Sequence, residues 1–240
     1  MRASVVHRPG AIGLDDLPAP SDAPGEVLVR PALVGICGTD LDIVEGIIDP
    51  AFIRYPIVLG HEWTGVVESV PAAAPEPGTT PPPPVGARVV VEGIVPCGHC
   101  AECVAGDTNR CATYDEFGFV RDGAATGLVV APARLVHAIA DTVATESAVL
   151  VEPASVVLRA LVRAKPSPGQ RVLVIGDGTV GLLAATLARL WSPASVTLFG
   201  MRADQAVLVA TAGVDLFSTN GSHTSDRFDL VIEAAGSIGS

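Results

Sequence analysis

The sequence is poor in the features that mark several classes of protein. Aromatic residues make up 4% and charged residues 17% of its 240 positions, and Lys plus Arg number 15 against 26 Asp plus Glu, a formal net charge of −11. A nucleic-acid or anionic-membrane surface needs clustered cations, so this balance argues against both and favours a small-molecule partner. No apolar run reaches the roughly 18 residues of a membrane span. The opening Met1-Arg2-Ala3-Ser4-Val5-Val6-His7-Arg8-Pro9-Gly10 lacks the apolar core of a signal peptide. A cytoplasmic location is therefore expected. In that reducing compartment the 5 cysteines are not read as a disulfide framework. Four of them fall within 97–111, a density that points to metal.

Apolar residues are abundant, at 49%, enough to bury the core of one large domain or two modest ones. The chain is organised around Gly35-Ile36-Cys37-Gly38-Thr39-Asp40 and Gly60-His61-Glu62-Trp63-Thr64-Gly65. A thiolate (Cys37), an imidazole (His61) and two carboxylates (Asp40, Glu62) spaced in this way can close around one divalent ion, and the glycines let the backbone turn sharply beneath it. The branched apolar run Glu26 to Val34 reads as a strand leading to Gly35, and Thr64 to Val70 as a strand leaving His61. Both candidate ligands then lie at the ends of sheet elements. The proline-rich stretch 71–84 reads as an extended surface loop, and 85–92 as a further strand.

Next comes Cys97-Gly98-His99-Cys100-Ala101-Glu102-Cys103, with Cys111 following. Four thiolates at this spacing can wrap a tetrahedral zinc with no open position, which is the mark of a structural site. The competing reading is four unrelated buried thiols, but free cysteines rarely cluster so tightly. Residues 115–137 read as strands and turns. Val149-Leu150-Val151-Glu152-Pro153 brings an acid to the end of an apolar run, and a helix is predicted over 154–164.

Lys165-Pro166-Ser167-Pro168-Gly169-Gln170 breaks that helix, and strand and helix then alternate. The strand Arg171 to Ile175 runs into Gly176-Asp177-Gly178-Thr179-Val180-Gly181, followed by a helix over 182–191. A glycine pattern placed between strand and helix meets the context test for a dinucleotide fold: glycines allow close approach of a pyrophosphate that the helix N-terminus attracts. The alternative is a tight turn with no ligand. The strand 195–199 ends at Gly200-Met201-Arg202, where an NAD-binding fold would place an acid for the ribose hydroxyls. With the acid missing and Arg202 available for a phosphate, NADP is favoured over NAD; the competing reading is a solvated arginine at a helix start. A helix over 203–213 and strands over 214–217 and 229–233 complete the pattern.

These ordered motifs resemble the zinc-dependent medium-chain dehydrogenases, also called the zinc alcohol dehydrogenase family. The resemblance rests on Gly35 to Asp40, Gly60 to Val67, the four-cysteine lobe, Val151-Glu152-Pro153 and Gly176 to Gly181. It implies a mainly β GroES-like catalytic domain over 1–155, with a structural zinc lobe at 94–113. A partial Rossmann domain, an α/β doubly wound parallel sheet, would follow over 156–240, with the active site in the cleft between the two. It also implies residue roles. Cys37, His61 and Glu152 match the catalytic zinc ligands, and Glu62 matches the acid beside the histidine that can approach the metal. Thr39 matches the hydroxyl that starts proton removal from the alcohol, and Asp40 the acid that orients the histidine. Asp42 stands where many members carry a proton-relay histidine. Cys97, Cys100, Cys103 and Cys111 match the structural zinc ligands. Gly176, Gly178, Thr179, Val180, Gly181 and Arg202 make up the cofactor set.

Glutamate at position 152 is similar to the polyol, sugar and threonine dehydrogenase branches. The expected reaction moves a hydride between a secondary hydroxyl and NADP, with zinc as the Lewis acid and Thr39 taking up the proton. Family members normally continue beyond residue 240, through the last Rossmann strands and the usual dimer surface, so the homo-oligomer that the family implies lacks its segment here. A catalytically silent zinc- and nucleotide-binding protein is therefore the second expectation. A zinc-ribbon nucleic-acid binder is a third, which the acidic balance disfavours.

Overall fold

A computed structural model of the chain describes residues 1–21, 24–70, 81–220 and 227–236. The chain divides into two compact units, Met1–Glu152 and Pro153–Ser240.

The first unit opens with an antiparallel hairpin, β1 (Arg2–Arg8) and β2 (Ala11–Asp16), and continues through β3 (Glu26–Val34) into helix α1 (Gly38–Glu45). After β4 (Ile57–Val58) come β5 (Trp63–Ser69) and β6 (Arg88–Val91). A small lobe holds β7 (Ile94–Val95), α2 (Ala101–Val104) and β8 (Asp115–Glu116). The unit closes with β9 (Val129–Pro132), β10 (Val136–Ala138) and α3 (Thr145–Ala148). The principal sheet has the order β10-β6-β5-β3-β9, and a second sheet the order β2-β1-β4. All pairings in both are antiparallel.

Branched residues dominate the interior because a pleated, half-buried surface suits them. Val27 and Val29 of β3, Val67 of β5 and Val89 of β6 are buried in one cluster with Trp63 and Phe117. The Trp63 and Phe117 rings meet edge to face, 6.2 Å apart. Each such side chain contributes about 1.5–3 kcal/mol of burial, against about 0–1 kcal/mol for an exposed ion pair such as Arg30–Glu68. The apolar face, more than the surface charges, fixes the sheet that carries Cys37 and His61.

The second unit takes up α4 (Val151–Ala164) from its third residue, then β11 (Arg171–Ile175), α5 (Thr179–Ala188) and β12 (Ser195–Phe199). Helix α6 (Ala206–Thr211) leads to β13 (Leu216–Ser218) and β14 (Leu230–Glu233). These strands form an all-parallel sheet in the order β13-β12-β11-β14. A parallel sheet needs crossover helices to cover its faces. Val172, Val174, Val196 and Leu198 accordingly pack with Val157 and Leu161 of α4 and Ala184, Ala185 and Ala188 of α5.

Several boundaries differ from the sequence reading. Helix α4 begins at Val151 rather than 154, so Glu152 stands in the first turn of a helix and not at the end of an extended run. Pro153 is compatible with this because a first-turn residue has no intrahelical N–H bond to lose. Helix α5 begins at Thr179, directly on the glycine loop. The helix predicted over 203–213 is a 3-10 turn, Ala203–Gln205, followed by α6. The β1–β2 hairpin had no counterpart among the predicted elements. Residues 71–80 of the proline-rich stretch lie outside the described residues.

Candidate metal centres and nucleotide loop

Cys37 is the residue from which α1 starts, immediately after β3 delivers the chain. Its backbone N–H donates to Asp40 Oδ2 at 2.8 Å, and its thiol donates to Thr39 Oγ1 at 3.6 Å. The loop carrying His61 is tied to this corner by the Gly35 N–H, which donates to the Glu62 carbonyl at 2.7 Å. A Cβ on Gly35 would stand 2.6 Å from Glu62 Oε2 and 3.2 Å from Glu62 Cβ, so a larger residue at position 35 would displace the Glu62 side chain.

The result is a compact donor set. One ligand atom each from Cys37, His61 and Glu62 lies within 4.8 Å of the others. His61 Nδ1 faces Asp40 Oδ1 at 3.6 Å, while Nε2 faces Glu62 Oε1 at 4.0 Å. Asp40 Oδ1 and His61 Nδ1 are both buried without a hydrogen-bond partner. Burial pushes His61 down, but the Asp40 carboxylate, followed by the Cys37 side chain, pulls it up to about 9. A soft thiolate, an imidazole and a carboxylate in one pocket suit zinc, and Asp40 at Nδ1 leaves Nε2 as the coordinating nitrogen.

Glu152 is outside that 4.8 Å set. Burial raises its carboxyl, His61 lowers it, and Glu62 and Glu116 raise it again, which places all four groups in one electrostatic neighbourhood. Glu116 was not singled out in the sequence. It is half-buried at the end of β8, raised by burial and held down by His61. An acid just before the buried Phe117 was its only linear signal, and a two-residue strand gives no hint of distance to His61. Asp42 is half-buried in α1, where its carbonyl accepts from Ile47 N–H at 2.9 Å.

In the lobe, ligand atoms of Cys97, Cys100, Cys103 and Cys111 lie within 4.8 Å of one another. Cys97 N–H donates to Cys111 Sγ at 3.3 Å, and Cys97 Sγ is 3.9 Å from Cys103 Sγ. Backbone N–H groups of His99 and Cys100 bring Cys97 down to about 5, while burial among the other sulfurs pushes Cys103 up to about 12. All five cysteines are free. His99 turns its Nδ1 to the Cys97 carbonyl at 3.0 Å and is exposed.

In the second unit, Gly178 precedes Thr179 and Val180 at the start of α5. A Cβ on Gly181 would meet Gly176 O at 1.9 Å, so loop and helix pack backbone to backbone. A Cβ on Gly178 would meet nothing within 4 Å. The second glycine is thus free of any packing demand and faces open space, as a pyrophosphate cradle requires. Arg202 follows β12 and is engaged with Asp177: Arg202 Nε donates to Asp177 Oδ1 at 3.1 Å. Asp177, the variable residue inside the glycine pattern, was also missed.

The alcohol dehydrogenase GroES-like domain family matches residues 23–141. A thermostable alcohol dehydrogenase from Pyrobaculum aerophilum, solved with cobalt and zinc, is 30% identical with a TM-score of 0.86, covering 99% of this chain and 71% of its own. This chain belongs to the zinc-dependent medium-chain dehydrogenase family. Erythritol/L-threitol dehydrogenase of Mycolicibacterium smegmatis is a 36% identical relative over 227 residues, 90% of this chain. A structure described as a zinc-binding dehydrogenase of Sinorhizobium meliloti 1021, bound to NADP, has a TM-score of 0.88 at 27% identity, covering 98% of this chain and 70% of that one. As a medium-chain dehydrogenase the chain spans 62% of the length of the M. smegmatis relative. The fold is accordingly a GroES-like unit followed by a Rossmann-type parallel sheet. Among the described residues no helix is long and apolar enough to cross a membrane.

Proposed function

We propose that the protein is a zinc-dependent oxidoreductase that moves a hydride between the secondary hydroxyl of a polyol, sugar or related alcohol and NADP. The observation that carries this reading is the convergence of Cys37, His61 and Glu62 within 4.8 Å, with the Asp40 carboxylate behind the imidazole. The polyol relative supports the substrate class, and the NADP-bound neighbour supports a nicotinamide cofactor.

Cys37, His61 and Glu152 would hold the catalytic zinc, with Glu62 able to approach it. When bound, the metal supplies a Lewis acid toward the alcohol oxygen and the nicotinamide supplies the hydride acceptor. Asp40 holds His61 in the orientation that presents Nε2. Thr39, beside Cys37, would relay the proton: its hydroxyl oxygen accepts the hydrogen bond of the alcohol O–H while its own proton is handed on toward solvent. Asp42 holds the chain position at which many family members carry the histidine that passes such a proton to solvent. Glu116 adds a half-buried acid near His61 that suits a polyhydroxylated substrate. The four-cysteine lobe would hold a second, structural zinc. Gly176, Gly178, Thr179, Val180 and Gly181 would receive the pyrophosphate, and Arg202 the 2′-phosphate of NADP. We assign 1–155 to the catalytic domain and 156–240 to the nucleotide domain.

The test is NADP- and NAD-dependent oxidation of an alcohol and polyol panel by the 240-residue chain beside Cys37→Ser. Turnover lost in the variant is the expected result, and turnover unchanged by it refutes the reading. Zinc and nucleotide binding with no turnover on any substrate would favour a silent binding protein instead.

A further inference from the structure

The carboxylate of Asp177 joins the glycine loop to the residues that follow β12. Its Oδ2 accepts the backbone N–H of Met201 at 2.9 Å and of Arg202 at 2.7 Å. Its Oδ1 accepts from Arg202 Nε at 3.1 Å, and Arg202 Nη2 donates to the Asp177 carbonyl at 2.9 Å. Asp177 is 8% exposed, whereas the Arg202 side chain is 51% exposed. One edge of the guanidinium is therefore sealed against the glycine loop while the rest is open to solvent.

This arrangement is specifically accommodated. A Cβ at Gly200 would stand 2.5 Å from Asp177 Oδ2, so only glycine at the end of β12 lets the carboxylate in. Burial works against the charge on Asp177, but the N–H groups and guanidinium of Arg202, with the Met201 N–H, hold the carboxyl below its ordinary range. A buried, ionised carboxylate thus stands at the end of the second strand of the sheet, supplied by the glycine loop instead of by the strand itself.

We propose that Asp177 sets the discrimination between NADP and NAD by cancelling much of the attraction of Arg202 for a 2′-phosphate. A dianionic phosphate brought to Arg202 meets the like charge of Asp177, and the two N–H donors at 201 and 202 are already taken. A ribose 2′-hydroxyl carries no charge and can donate to a carboxylate, so NAD suffers no such penalty. NADP then binds less tightly than Arg202 alone would allow, and NAD remains a usable cofactor. This inference rests on the reading of 176–181 as the nucleotide loop and of Arg202 as the phosphate partner.

The experiment titrates 2′,5′-ADP and 5′-ADP into the 240-residue chain by calorimetry, which probes the adenosine end without any need for turnover. In Asp177→Asn, which keeps one acceptor oxygen, 2′,5′-ADP should bind about tenfold tighter while 5′-ADP changes less than about threefold, since one charge near a phosphate is removed. Arg202→Gln added to Asp177→Asn should abolish the gain. Asp177→Ser serves the same purpose if the asparagine variant fails to fold, as judged by circular dichroism. Unchanged or weaker 2′,5′-ADP binding in the folded variants overturns the proposal. Failure of both probes on the unaltered chain overturns the nucleotide reading itself and the proposal with it, an outcome distinct from binding without a shift in preference.

Discussion

His61 Nδ1 and Asp40 Oδ1 face each other at 3.6 Å, both buried and neither making a hydrogen bond. Leaving two buried polar atoms unpaired costs about 1–3 kcal/mol each, and the Asp40 carboxylate at Nδ1 orients the imidazole so that Nε2 is the nitrogen presented to a metal. Replacing Asp40 with Asn should then weaken zinc at this centre by about 10–100-fold, the usual consequence of losing an outer carboxylate. Competition with a colorimetric chelator would measure it, and equal affinity in the variant would rule out the orienting role.

The same pair gives the metal-free chain a pH dependence. His61 is raised to about 9, from an ordinary value of about 6.5. A raised value means that its stabilising contribution is complete below pH 6.5 and is lost as pH climbs through about 9. After chelation, the melting temperature should fall across that window in the unaltered chain and stay flatter in His61→Gln. Zinc must also displace the His61 proton, so its affinity should weaken as pH falls and its binding should release protons. Zinc uptake without proton release at pH 7 would contradict this.

The glycine loop separates packing from ligand approach. Gly181→Ala drives a Cβ to 1.9 Å from Gly176 O, and overpacking of this kind costs about 1–3 kcal/mol. Gly178→Ala meets nothing within 4 Å. Thermal melts should therefore show a loss for Gly181→Ala and none for Gly178→Ala, while both lose nucleotide affinity in a fluorescence titration. Normal nucleotide binding by Gly178→Ala would mean that the pyrophosphate does not approach this loop.

Removal of one sulfur from the lobe tests the structural zinc. Cys97→Ser should lower bound zinc by about half, because a closed four-sulfur site does not hold its ion on three ligands with comparable strength. Elemental analysis measures the stoichiometry, and the Cys37-His61 centre should still fill. Equal zinc content in Cys97→Ser and the unaltered chain would show that Cys97 is not a ligand.

The candidate metal donors were legible because much of their spacing is local. Four thiols between 97 and 111 are constrained by a few residues of backbone and lie together, and Cys37 lies with His61 and Glu62, whereas Glu152 stays outside that group. Strand 171–175 and the glycine loop were legible for the same reason: an apolar run, a turn and a helix start are adjacent in the chain. Less legible were features that depend on register between distant segments. Glu116 comes near His61 only because β8 pairs with β7, with Phe117 N–H on Gly93 O at 3.0 Å. The sequence reading saw no acid at the end of β12, because the acid there comes from Asp177 across a parallel strand pair.

What the sequence by itself determined was therefore the inventory: which donors exist, how they are spaced, and the alternation of strand and helix after residue 170. Only the tertiary structure decided the charges those donors feel. His61 is raised because Asp40 and Cys37 are brought to it as it is buried. Arg202 is partly neutralised because Gly200 leaves room for Asp177. Both outcomes are set by distances of a few ångströms between residues remote in the chain, and Coulomb interaction at that range depends on the distance and on burial, neither of which a linear pattern encodes.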